Sequence, residues 1–222
     1  MSIRPHTLGL FAVFLLLVSA ALSGPSLAQT PEPTTLFDGE TLEGWEGNLD
    51  WFRIEDGALV AGRLDASIPR NEFLCTVADY ADFTLRLQFK LLGEGVNAGV
   101  QIRTRRIPDN HEVIGYQADL GDGWWGSLYD ESRRNRLLAK ADDAVVERVI
   151  KREDWNHYTI RAEGRRVRLS INGEQTVDYT EPDESLEQTG KICVQIHSGP
   201  PGEAWYKDIT LEQRTDGGEG AQ

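Results

Sequence analysis

Cysteine and methionine are scarce in this chain, and positive charge is outweighed. It has two cysteines and one methionine, and 23 Lys and Arg stand against 36 Asp and Glu, a formal net charge of −13 at pH 7. Two thiols exclude a structural zinc site built from cysteines. The acidic excess argues against nucleic acid or anionic lipid as a partner and favours a neutral ligand. There is no Gly-rich phosphate loop, no dinucleotide fingerprint and no Ser or Cys nucleophile motif. His111 and His157 lack a metal-binding neighbour at helical or strand spacing. Beyond residue 28 no stretch approaches the roughly 20 apolar residues a membrane span requires.

The first 28 residues read as a signal peptide. Arg4 precedes an apolar run from Leu8 to Leu22, and Ser26 and Ala28 frame a cleavage site before Gln29. Export to the periplasm or the extracellular space is therefore expected. Removing that segment leaves 22 basic against 36 acidic residues, a net charge of −14. Residues 29–35 read as a linker, 36–213 as one domain, and 214–222, without large apolar residues, as a disordered tail. Oligomeric state leaves no mark on the sequence. Cys75 and Cys193 sit in separate apolar segments, either as a disulfide or as two small buried hydrophobes.

From Leu36 the chain runs as short alternating segments broken by Gly, Asp, Asn and Pro, which predicts an all-β fold of two antiparallel sheets, a jelly-roll sandwich. In "FTLRLQFKL", Phe83, Leu85, Leu87, Phe89 and Leu91 share one face. Asn172-Gly173 between two alternating runs predicts a hairpin with a primed turn. "DGWWGSLYDESRRNRLL" and "TEPDESLEQTG" read as long loops. Trp45, Trp51, Trp155 and Trp205 lie in or beside strands and read as core or edge residues.

Three strands carry polar pairs at i and i+2: Gln101 with Arg103, Gln117 with Asp119, and Gln195 with His197. Such pairs project from one side of a sheet, so neighbouring strands of this kind make a polar patch. Val100, Ile102, Val194 and Ile196 would then face the core. Beside the second pair, Trp124 and Trp125 offer flat surfaces next to Asp122, Tyr129, Asp130 and Glu131, a combination that stacks and hydrogen-bonds sugar rings. Calcium held by Asp119, Asp122 and nearby carbonyls is the one metal alternative, and the spacing matches no calcium loop. No other cofactor is indicated.

The order of "LFDGETLEGWEG", "WFRIEDGALVAG", "YADFTLRLQFKLLGEGVNAGVQIRT", "GYQADLGDGWWGSLYDE", "WNHYTIRAEGRRVRLSINGEQTVDY" and "GKICVQIHSGPPGEAWYKDITL" resembles the 3-keto-disaccharide hydrolase domain family, from Leu36 to about Gln213. The resemblance implies a concanavalin A-like lectin and glucanase sandwich and an oligosaccharide or glycoside oxidised at carbon 3. A 3-keto group acidifies the hydrogen on carbon 2, so a base removes it, the glycosidic oxygen leaves carbon 1, and water adds back. On this footing Asp119 or His197 is the base and Arg103 stabilises the enediolate oxygen, while Asn97, Gln117, Tyr129 and Gln195 position the sugar. Where family members often have Ser after the residue matching Asn97, this chain has Ala98.

Three alternatives stand beside it. Direct hydrolysis would need a second carboxylate to approach Asp119, from Asp130, Glu131 or Glu72. A noncatalytic carbohydrate-binding module would use the same face without cleavage, and a structural domain of the cell envelope would use its edges.

Overall fold

The computed structural model describes Met1 and residues 32–214, so the expected signal peptide and most of the expected tail lie outside the described residues. Among the described residues fifteen strands form two antiparallel sheets. The first sheet runs in the order β13 (Glu174–Thr180), β12 (Arg166–Ile171), β11 (Asn156–Glu163), β6 (Phe83–Leu92), β15 (Gly202–Gln213), β4 (Ala58–Arg63) and β3 (Phe52–Glu55). A two-residue strand, β1 (Thr34–Thr35), adds to β15. The second sheet runs β10 (Arg136–Ala139), β9 (Leu128–Glu131), β8 (Val113–Gly121), β7 (Asn97–Arg106), β14 (Lys191–Ile196), β5 (Glu72–Thr76) and β2 (Trp45–Gly47).

The inner faces follow from period-two alternation. Phe83, Leu85, Leu87 and Phe89 of β6 share one buried cluster with Val100 and Ile102 of β7, Tyr116, Ala118 and Leu120 of β8, and Val194 and Ile196 of β14. Burying each large side chain of this kind contributes about 1.5–3 kcal/mol, which makes this interface the main source of cohesion. Tyr206 of β15 reaches across it, and its hydroxyl donates to the carbonyls of Gln195 at 2.7 Å and Gly99 at 3.3 Å. The first sheet thereby holds the backbone of β7 and β14 from behind.

The predicted hairpin forms between β12 and β13, with Asn172 at φ 51° and Gly173 at φ 87°, the positive angles a primed turn demands. Cys75 and Cys193 lie directly opposite each other on β5 and β14 and form a disulfide, which settles that alternative. Trp45 and Trp205 are buried, and Trp51 and Trp155 half-buried.

Of the two segments read as loops, "TEPDESLEQTG" is one, without helix or strand between Thr180 and Lys191, whereas the other is partly strand. "SLYDESRRNRLL" contains β9 and β10, which pair through a turn with Ser132 and Asn135 at positive φ. The strand signal is masked because Asp130 is a fully buried carboxylate rather than an apolar residue. Arg133 and Arg134 neutralise it, and Arg134 also grips Glu181 of the acidic segment at 2.6 Å. Burial pushes the Glu181 carboxyl up, but Arg134, the Asp183 amide and Tyr116 outweigh it and hold the group at about 2. Between β10 and β11 a short helix, α1 (Asp143–Val149), is capped by Asp142, whose side chain accepts from the amides of Ala144 and Val145.

Candidate functional site

The outward face of the second sheet carries a grid set by strand register. Gln117 stands opposite Tyr129 of β9 on one side and Gln101 of β7 on the other, and Gln101 stands opposite Cys193 of β14. One pleat along, Asp119 is opposite Gly99, and Gly99 is opposite Gln195. His197, just past β14, donates its amide to the Asn97 carbonyl at 3.0 Å. A pocket of about 300 Å³ opens on this grid, lined by Asn97, Gln117, Asp119, Trp124, Tyr129, Glu131 and His197.

Asp119 is the most constrained of these side chains. It is 2% exposed. Gln117 donates to Oδ1 at 2.5 Å, and Gln101 in turn donates to Gln117, so a relay of amides fixes the carboxyl. Gly99 makes that relay possible, because a Cβ there would lie 2.7 Å from Cγ and Cδ of Gln117. Asp119 Oδ2 is buried with no hydrogen-bond partner. Burial raises its pKa to about 8, the Gln117 bond opposes the rise, and the charge of Glu131 adds to it. The group is thus largely protonated near neutrality.

Glu131 projects from β9 beside Tyr129 and is raised to about 7, chiefly by burial and then by the neighbouring Glu112. His197 Nδ1 lies 2.7 Å from the Ser198 carbonyl, a pairing that requires the proton on Nδ1 and leaves Nε2 as acceptor in the neutral ring. Trp124 is 41% exposed and meets the Tyr129 ring edge-on, with centroids 6.0 Å apart. The two rings make an aromatic corner above the polar floor.

Four sequence-predicted residues lie elsewhere. Arg103 lies within a register shift between Ile102 and Arg105 and has φ 50°, so the alternation that would pair it with Gln101 breaks at that point. Its guanidinium is buried and donates to the carbonyls of Ala81 and Gly164, to Gln188 and to Asp82, all at 2.6–2.8 Å. Trp125 is a core residue, stacked on Phe89 with centroids 6.1 Å apart and bonded to Asp122. Gln101 serves the relay beneath the pocket. Gln195 is fully buried under the same face, and neither polar atom of its amide has a partner.

Glu131, which the sequence offers only as one of several carboxylates near the two tryptophans, lines the pocket itself. The same alternation that sets Tyr129 outward also sets Glu131 outward, a signal hidden inside a segment read as loop. Asp122 binds Trp125 and Arg152 rather than joining Asp119, so the two do not form the calcium loop considered above. Among the described residues no group of three or more His, Cys, Asp and Glu side chains is arranged to hold a metal ion.

Solved structures of similar fold include a candidate glycosyl hydrolase from Parabacteroides distasonis ATCC 8503, with TM-score 0.64 and 18% identity over 82% of this chain and 94% of that one. The carbohydrate binding module CBM66 from Bacillus subtilis aligns with TM-score 0.59 and 15% identity, over 77% and 96% of the two chains. A β-glucanase from Bacillus licheniformis aligns with TM-score 0.54 and 10% identity, over 84% and 100%. At these identities the likeness is one of fold. A comparison with curated proteins gives no match. Residues 32–212 match the 3-keto-alpha-glucoside-1,2-lyase-like domain, and on that match the chain belongs to this family.

Proposed function

We propose that the protein cleaves the glycosidic bond of 3-keto-glycosides by elimination, with Asp119 and His197 as its acid and base. The observation that carries this reading is Asp119 itself: a carboxyl fixed by Gln117, one oxygen unpartnered, and a pKa of about 8. A group so tuned donates a proton at neutral pH.

In this mechanism His197 Nε2 takes the proton from carbon 2, and the electron pair forms the carbon 1–carbon 2 double bond as the carbon 1–oxygen bond breaks. The departing oxygen takes the Asp119 proton. Water adds across the double bond with the proton transfers reversed. With Arg103 turned away, the oxygen on carbon 3 is met by neutral donors, Asn97 and Tyr129, while Trp124 packs against a ring. The Cys75–Cys193 bond supports export, since disulfides persist in oxidising compartments.

The test is incubation with 3-keto-trehalose or 3-keto-lactose and the matched unoxidised disaccharides, with products followed by chromatography. Cleavage of the keto forms alone is expected, with a loss on the order of 100-fold or more in Asp119→Asn. Binding without cleavage of either set would point instead to a carbohydrate-binding module, a reading the exposed Trp124 would serve.

A further inference from the structure

The pocket is lined by neutral side chains, two carboxyls and one imidazole, and neither lysine nor arginine lines it. Arginines of β7 and of the turn after β9 are engaged elsewhere, Arg105 with Glu187 among them. Arg103 holds Asp82 and Gln188, Arg133 and Arg134 hold Asp130, and Arg106 donates to the carbonyls of Glu46 and Phe73. A third carboxylate, Glu112, acts on Glu131; its Oε1 faces the Asn71 amide and the His111 ring, and its Oε2 is buried without a partner, as is Asp119 Oδ2. An anionic substituent entering here would meet Glu131, with the Glu112 carboxylate acting on it from outside the lining, and no fixed cation among the lining residues to balance them.

We propose that the pocket is a charge filter that admits uncharged and amino-substituted glycosides and rejects sugars bearing a carboxylate, sulfate or phosphate, with Glu131 as the specificity-determining residue. The proposal rests on the sugar-cleaving reading above and narrows its substrate class. Glu131 suits the role because it stands on β9, at the side of the pocket, whereas Asp119 is held over the floor by the Gln117 relay. Like charges about 5 Å apart in a partly buried setting oppose binding on the order of 100-fold. An ammonium in the same place is attracted by as much.

The experiment compares kcat/KM at pH 8 for the 3-keto forms of methyl α-glucoside, its 6-carboxylate and its 6-amino-6-deoxy analogue, with wild type and Glu131→Gln. The carboxylate is expected to fall about 100-fold below the neutral sugar in wild type, and the gap to narrow about tenfold in Glu131→Gln. Equal kcat/KM for the neutral and carboxylate sugars overturns the filter while leaving the cleavage reading intact. An unchanged gap in Glu131→Gln overturns the role of that residue. No turnover of any of the three overturns the cleavage reading, and the filter with it.

Discussion

Asp119 shows how one buried carboxyl ties chemistry to stability. In the unfolded chain an aspartate releases its proton near pH 4, whereas here it holds the proton up to about 8. Between those values the folded state binds the extra proton, so stability falls as pH rises, by up to about 1.4 kcal/mol per pH unit, until the folded group also ionises. Asp119→Asn cannot ionise and removes that dependence. Thermal melts of wild type should lose several degrees more between pH 5 and pH 8 than those of the variant. Parallel losses in the two proteins would mean the carboxyl is ionised in the fold throughout that range. Arg103 is the contrasting residue: spacing gives it the same outward direction as Gln101, and one positive φ sends it into a buried lattice of carbonyls and Asp82.

At the scale of elements, the relay over β7 depends on the absence of a side chain. Gly99→Ala places a methyl where Gln117 lies, and the flexible amide yields more readily than the backbone. The variant should therefore fold, with a circular dichroism spectrum matching wild type, yet lose tenfold or more in kcat on a 3-keto-disaccharide because Asp119 loses its fixed partner. Retained kcat would show that the relay does not position the carboxyl. Elements whose sides divide into apolar and polar were legible from sequence: β6, the β12–β13 hairpin, and the alternation that turns Gln117, Asp119 and Gln195 outward. The pair β9–β10 was not, because Asp130 carries charge into the core-facing side and a local pattern cannot show that Arg133 and Arg134 will neutralise it. Glu131 was obscured with that strand. Trp125 was misplaced for a related reason, since its neighbour Trp124 has the same chemistry and only the turn distinguishes the ring packed on Phe89 from the exposed one.

For the whole molecule, the Cys75–Cys193 bond closes a loop across a sequence separation of 118 residues. Loop-closure entropy alone assigns such a crosslink about 4–5 kcal/mol through the unfolded state. Reduction, or Cys75→Ala with Cys193→Ala, should lower the free energy of unfolding by that order, read as a lower denaturant midpoint, while leaving the sandwich intact at low denaturant. An unchanged midpoint would mean the unfolded chain is already compact enough to keep these strands together. The sandwich as an architecture was legible from the spacing of its strands, whereas the register that brings residues 97–131 against 195–197 is a long-range outcome of β14 inserting between β7 and β5. That insertion has a consequence for synthesis. On the ribosome, β7, β8 and β9 emerge long before β14 pairs with β7 and Tyr206 reaches the Gly99 carbonyl from behind, so a nascent chain shows half a binding face to its surroundings. Such an open sheet edge is a natural landing place for a chaperone until the last strands arrive.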